Sequence, residues 1–453
     1  MAKTRLVYVC SACGGQCPKW AGQCPDCGTW NSLDEAKAIA KVSRLPGYAG
    51  EIGLESLAET AAKEEPRIST GMREFDRVLG GGVVHGSVTL IGGDPGIGKS
   101  TLLLQMMANL SARLPCLYVT GEESVRQVGM RARRLGLQAS EMSLLADTSL
   151  ENLLGHAVRT QPGALVVDSI QTLVSADLPS APGSVAQIRH CGAQLVRYAK
   201  QSDCAVFLVG HVTKEGNIAG PRVLEHMVDA VLYFENEPGS RFRLIRAVKN
   251  RFGTANELGV FAMSADGLKE VLNPSAMFVS RHDDPVAGSV VMVTREGSRP
   301  LLLEIQVLVD ICQGNYPRRV SVGLEQNRLA LLLAVLHRHA GINASDQDVF
   351  VNVVGGVRVA ETAADLAILL AAVSSIHDRP LPSDLVCFGE VGLAGEVRPV
   401  AYGEERLAEA AKHGFRRAIV PQKNAPKKPV KGMEIMPVNR LSQAISMALG
   451  GLS

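Results

Sequence analysis

Apolar residues in the middle of the chain cluster in short runs, separated by longer stretches in which they recur every three or four positions. The runs cover residues 87–91, 116–120, 164–168 and 205–210. Runs of that length and mostly apolar character suit strands. Between the last two, Val185, Ile188, Leu195, Val196 and Ala199 recur at helical spacing. This alternation predicts a mostly parallel sheet joined by right-handed crossovers. Residues 228–234 and 242–248 flank Asn-Glu-Pro-Gly-Ser, which predicts an antiparallel hairpin closing one side of the sheet.

Further on the pattern changes. Strands are expected at 289–294, 301–305 and 349–354, and long apolar helices at 327–339 and 363–376. That mixture predicts a separate α+β domain with its own core. A chain of 453 residues is too long for one core. The expected division is a cysteine-rich module at 1–33, an Ala/Lys/Glu-rich linker with room for a short helix at 34–65, an α/β domain at 66–273, and the α+β domain at 274–453. No apolar run approaches the roughly 20 residues that span a bilayer. The basic start lacks the apolar core of a signal peptide. A cytoplasmic, membrane-free protein is therefore expected. The net charge of +2 neither demands nucleic acid nor excludes it, because a local basic face can hide inside a neutral total.

Five of the ten cysteines lie between Cys10 and Cys27, a crowding that suits a metal site in a reducing compartment better than a disulfide framework. Cys10-Ser-Ala-Cys13 and Cys24-Pro-Asp-Cys27 can each point two thiolates at one centre, completing a tetrahedral S₄ site for Zn²⁺. Zinc binding, worth about 10–16 kcal/mol in zinc-finger peptides, would hold so small a module folded. A reactive dithiol pair is the weaker alternative, since the module lies away from any βαβ unit. Cys17 reads as a spare thiol. Lys19, Trp20 and Trp30 offer a basic stacking surface suited to nucleic acid or to protein.

Gly93-Asp94-Pro95-Gly96-Ile97-Gly98-Lys99-Ser100 matches GxxxxGK[ST], follows a strand and opens a helix through Thr101. In that context glycines let backbone N–H groups close on phosphates, and the helix N-terminus adds positive charge. Lys99 is expected to reach the β- and γ-phosphates of ATP and Ser100 to ligate Mg²⁺. Asp168 ends an apolar strand as a second carboxylate for the metal, with capping of a turn as its structural alternative. Glu122 and Glu123 follow the strand next in sequence after the phosphate-loop helix, where strand ends face the nucleotide. One of them, Glu122 by slight preference, is expected to activate water; two solvated glutamates at a helix start are the alternative.

The order of cysteine array, Ile68-Ser-Thr-Gly71, Leu79-Gly-Gly-Gly82, phosphate loop, Gly-Glu-Glu-Ser, Asp168 strand and Lys249-Asn250-Arg251-Phe252-Gly253 resembles the bacterial RadA (Sms) family over essentially the whole chain. The last run is its most specific signature. The resemblance implies a RecA-like ATPase that binds single-stranded DNA. It also implies action on branched recombination intermediates by branch migration or unwinding, as a hexameric ring similar to DnaB-type helicases. RecA recombinase and other replication and recombination proteins are the implied partners. It makes Lys249 and Arg251 candidates to sense nucleotide across a subunit boundary or to couple it to DNA; such a cation can be worth roughly 10³–10⁵ in rate. The charge run alone does not decide between that role and a solvated basic strand face. Gly210 and His211 through Lys214 and Arg222 fill the position of RecA's DNA-contacting loop, with Lys214 and Arg222 as phosphate contacts. His211 is either a γ-phosphate sensor or a packed structural residue.

The last domain resembles the proteolytic domain of Lon, which uses a Ser–Lys dyad. Ala363 takes the serine's place and Glu404 the lysine's. Neither can do that chemistry, so no peptidase activity is expected, and the domain reads as a ring scaffold and DNA platform. Lys423, Lys427, Lys428 and Lys431 would supply phosphate contacts there, or form a solvated loop. Two rival functions remain at this point: a KaiC-like regulatory ATPase acting on protein partners, and an ATP-dependent Lon-like protease.

Overall fold

The structure, a computed structural model, describes residues 6–10, 16–17, 20–23, 25, 28–31, 33–37, 66–137, 142–210, 221–235, 241–279, 286–314 and 316–450. The chain forms two compact units, Met1–Glu55 and Ser56–Ser453.

In the first unit β1 (Leu6–Cys10) lies between β2 (Gln16–Cys17) and β3 (Leu33–Lys37), antiparallel to both. The expected linker start at Asp34 is thereby corrected, since residues 34–37 pair with β1. Backbone hydrogen bonding to a neighbour overrides the weak strand propensity of Asp, Glu, Ala and Lys. Gln23 bridges Trp30, and Asn31 N donates to Gly22 O at 2.8 Å. The ends of the segment carrying Cys24 and Cys27 are thus held together. Cys13, Cys24 and Cys27 lie outside the described residues, as do residues 38–65 of the expected linker.

The second unit opens on a ribbon, β4 (Arg67–Ile68) with β5 (Val83–Val84), around helix α1 (Arg73–Leu79). Six parallel strands follow: β6 (Val88–Gly92), β7 (Cys116–Thr120), β8 (Met142–Ala146), β9 (Ala164–Asp168), β10 (Ala205–Val209) and β11 (Ala230–Glu235). The intervening helices are α2 (Lys99–Leu110), α3 (Val125–Arg134), α4 (Leu150–Thr160), α5 (Val185–Ser202) and α6 (Pro221–Glu225). Antiparallel strands β12 (Phe242–Asn250), β13 (Leu258–Ser264) and β14 (Gly267–Glu270) extend one edge, giving the order β14-β13-β12-β11-β6-β10-β9-β7-β8. The expected hairpin is β11–β12; the two strands beyond it, β13 and β14, are additions to the expected pattern. Strands β6, β7, β9 and β10 are buried at every residue, which is why they are largely apolar.

After α7 (Ser275–Phe278) comes a mixed sheet of β15 (Ser289–Glu296), β16 (Arg299–Ile311), β17 (Arg319–Val322), β18 (Gln347–Val353), β19 (Leu385–Cys387), β22 (Arg417–Pro421) and β23 (Glu434–Val438); β20 (Glu390–Val391) and β21 (Val397–Arg398) pair apart from it. Its helices are α8 (Gln326–Ala340), α9 (Asp365–Ile376), α10 (Gly403–Lys412) and α11 (Leu441–Leu449). Helix α9 is buried along almost its whole length, from Asp365 to Ser374. Leu244, Leu258 and Val260 of β12 and β13 belong to this domain's core cluster, whereas Ile245, Ala247 and Phe261 face the core of the α/β domain. Strand alternation makes these two strands a wall shared by both cores. Among the described residues no helix is long and apolar enough to cross a membrane.

Candidate active site

The loop between β6 and α2 has Gly93, Gly96 and Gly98 at φ 147°, 76° and 119°, which L side chains rarely adopt. A methyl at Gly98 would also meet Met263 Cε at 2.9 Å, so the loop rests directly on β13. Beside Gly96 nothing lies within 4 Å of where such a methyl would stand. The space beside Gly96 is therefore open, and no side chain caps the N-terminus of α2. These features fit a phosphate chain. Lys99 is buried beneath the loop, its Nζ donating to Gly93 O at 2.7 Å and Asp94 O at 2.8 Å. Burial pushes the Lys99 ammonium below its ordinary pKa, opposed by the charges of Asp168, Glu122 and Asp94. Ser100 and Thr101 begin the helix and are half-buried.

Sheet order brings the carboxylates to that loop. β9 pairs in parallel with both β10 and β7, with Asp168 opposite Thr120. Both strands therefore end at the same level, and the residues that follow them meet. Asp168 Oδ2 accepts a 2.6 Å hydrogen bond from Tyr118 Oη. The Tyr118 phenol is held well above its usual pKa by burial and by that carboxylate, so it remains a donor. Across the cis Asp168–Ser169 peptide, Ser169 Oγ donates to Glu122 Oε1 at 2.6 Å. Glu123 points elsewhere: it is ion-paired with Arg131 of α3, whose first turn is closed by a Ser124–Gln127 capping box. The two glutamates, equivalent on paper, thus occupy different places, Glu122 with Asp168 and Lys99 and Glu123 against Arg131 of α3.

Three family models match: an AAA domain over residues 67–217, a rubredoxin metal-binding domain over 8–35, and the ChlI subunit of Mg-chelatase over 322–424. DNA repair protein RadA of Pseudomonas aeruginosa is 61% identical, over 98% of this chain and 99% of its own length. The Escherichia coli protein of that name is 57% identical over 99% of each chain. The Bacillus subtilis one is 48% identical over 100% of each. The chain belongs to the RadA family of DNA repair proteins. A KaiC-like protein of Pyrococcus horikoshii superposes with a TM-score of 0.40 at 19% identity, over 46% of this chain and 100% of its own. The RadA membership and the AAA match imply ATP hydrolysis with nucleotide and Mg²⁺, and the rubredoxin-type match implies a zinc-binding ribbon.

The signature run that pointed to RadA is engaged within the fold. Lys249 Nζ donates to Glu225 O at 2.6 Å and Val228 O at 2.7 Å, closing the C-terminal end of α6. Burial and the neighbouring Arg251 push its pKa down. Asn250 Nδ2 donates to Val78 O at 3.1 Å, and Phe252 O accepts from Arg67 at 2.7 Å. Arg251, more than half exposed, bonds Asp229 Oδ1 at 3.1 Å. Asp229 is a hub that sequence reasoning missed: its other oxygen accepts from Lys200 at 2.8 Å and from Val88 N of β6 at 3.0 Å. His211 and Lys214 lie outside the described residues, and of Arg222 only the backbone, in α6, is described.

In the C-terminal domain Ala363 is buried and Glu404 is exposed on α10. Among the side chains that α10 sends inward, with Leu407 and Ala410, is Arg406, two residues on. It is 2% exposed, bonds Val293 O at 2.6 Å and forms a two-pronged pair with Glu361 at 2.9 and 2.7 Å. Lys423, Lys427, Lys428 and Lys431 are all exposed around the β22–β23 connection.

Proposed function

We propose that this RadA-family chain is a DNA-stimulated ATPase that binds single-stranded DNA, processes branched recombination intermediates as a hexameric ring, and works alongside RecA recombinase. The observation that carries the ATPase half is the meeting of Glu122, Ser169, Asp168 and Lys99 at one end of the parallel sheet. In this reading the loop from Gly93 to Thr101 holds the triphosphate. Lys99 leaves the loop carbonyls for the β- and γ-phosphates, and Ser100 and Asp168 hold Mg²⁺, which neutralises developing charge. Glu122 takes the proton of the attacking water. Glu123, already neutralised by Arg131, serves the fold. Cys10, Cys13, Cys24 and Cys27 hold zinc, and the exposed Trp20 and Trp30 beside that turn offer faces for stacking.

Support for the DNA half comes from the relatives' name and from Lys249, which braces the helix that follows residues 211–220. Lys214, Arg222 and the four C-terminal lysines supply phosphate contacts. ATP hydrolysis measured with and without single-stranded DNA tests the proposal. The rate should rise with DNA, binding should weaken steeply with salt, and Lys99→Ala should abolish turnover. Normal DNA-stimulated hydrolysis by Lys99→Ala would refute the site, whereas an intact ATPase indifferent to DNA would refute the partner.

A further inference from the structure

Strand β12 touches the phosphate loop on one face and the C-terminal domain on the other. Arg243, half-buried, donates from Nε to Ile97 O at 3.0 Å and from Nη1 to Phe242 O at 2.8 Å. Ile97 lies between Gly96 and Gly98 in the turn of the loop. Its carbonyl shares one rigid peptide plane with the N–H of Gly98, and in a trans peptide the two point in opposite directions. A guanidinium that grips the oxygen therefore aims that N–H away from itself. Backbone N–H groups held in this manner form the concave anion sites of phosphate loops. Ordering them in advance removes a cost that the ligand would otherwise meet on binding.

The opposite face of β12 carries Leu244 and Arg246. Leu244 packs in the C-terminal domain's core. Arg246, only 14% exposed, bonds Glu235 at 2.8 Å and pairs with Glu296, the last residue of β15. Glu296 belongs to the C-terminal domain and is itself 9% exposed. Side chains of neighbouring strands complete the support: Met263 and Leu268 lie under Gly98, and Phe234 lies against Gly93.

We propose that Arg243 is a positioning residue that presets the Ile97–Gly98 peptide for nucleotide phosphates, and that the Arg246–Glu296 pair lets the C-terminal domain set nucleotide affinity through the same strand. This rests on the phosphate-loop reading given above. The role requires Arg243 to act on ground-state phosphate binding, with the γ-phosphate chemistry left to Glu122 and Asp168.

Titration calorimetry with Mg·ADP, paired with steady-state ATP hydrolysis, tests it on the full-length protein. Removing one charge-assisted hydrogen bond in Arg243→Ala should raise the ADP Kd about tenfold. KM for ATP should rise with it, and kcat should change far less. Arg243→Lys keeps the charge and one donor and should recover part of the affinity. Glu296→Gln, on the far side of the strand, should weaken ADP about threefold, on the order of half of one such bond. It should add nothing in the Arg243→Ala background, because the two changes would act through one peptide. An ADP Kd unchanged in Arg243→Ala, or a fall in kcat with Kd unchanged, overturns the positioning role. Additive effects of Glu296→Gln and Arg243→Ala overturn the coupling. Were the alanine variant to unfold, Arg243→Lys decides alone: weakened ADP binding supports the role and an unchanged Kd removes it. Lys99→Ala keeps the two readings apart, since undiminished ADP binding in that variant would fail the phosphate-loop site itself.

Discussion

Ser169 is fully buried, yet its hydroxyl reaches the carboxylate of Glu122, which is exposed. One side chain is thus fixed by packing and holds another that is free to meet solvent. A general base is worth typically 10²–10⁴ in rate, so Glu122→Gln should lose at least a hundredfold in kcat while still binding nucleotide. Ser169→Ala removes only the tether. Glu122 would sample other rotamers, and kcat should fall about fivefold with KM nearly unchanged, since the lost net hydrogen bond is worth roughly 1 kcal/mol. Rapid-quench measurement of a single turnover separates the chemical step from product release. An undiminished rate in Glu122→Gln would return the base role to Glu123 and require the Arg131 pair to open.

At the level of elements, the sequence was most readable where burial is complete. β7 and β9 fall at the expected residues 116–120 and 164–168, because a parallel strand covered on both faces has no polar positions to blur its ends. β13 and β14 fall outside the expected elements: Gly267–Glu270 is a short edge strand of four residues, and Leu258–Ser264, apolar from Leu258 to Met263, owes its place to pairing with β12 and β14. The phosphate loop and Asp168 were legible as motifs. Tyr118, Ser169, Asp229 and Arg406 were not, since each acquires its partner only when sheet order brings distant segments together, as β7 and β9 do for Tyr118 and Asp168. The signature run shows how such packing can be mistaken for function alone. A methyl on Gly253 would stand 2.6 Å from the Cα of Gly80, itself the left-handed residue that ends α1. Backbone on both sides leaves nothing flexible to yield. Gly253→Ala should therefore destabilise the fold by about 1–3 kcal/mol, read as a lower urea midpoint without DNA or nucleotide present. An unchanged midpoint would mean that this glycine is dispensable to the packing and serves the ligand only.

Over the whole molecule, the two large domains of the second unit are tied by charge as well as by the shared β12–β13 wall. Arg299, at the start of β16, donates to both oxygens of Glu74 on α1 at 3.0 and 3.1 Å, with 15% and 4% of the two side chains exposed. Glu74 Oε2 also accepts from Val260 N at 3.1 Å, and Arg299 bonds Leu272 O at 2.9 Å. Desolvation makes such a pair a weak net source of stability, but removing one partner strands the other in a poorly solvated place, at about 3–5 kcal/mol. Glu74→Ala should therefore cost most of that range, and it should do so in a chain whose phosphate loop is untouched. Replacing both residues by methionine should recover the greater part, because no charge is then left unpaired. Recovery should stop short of full, since Val260 N–H would still lack its acceptor at a cost of roughly 1–3 kcal/mol. Chemical denaturation of Glu74→Ala and of the double methionine variant decides the matter. A loss below about 1 kcal/mol in Glu74→Ala, the size expected of an exposed pair, would show that water reaches this junction in solution and that the apolar wall alone holds the domains together.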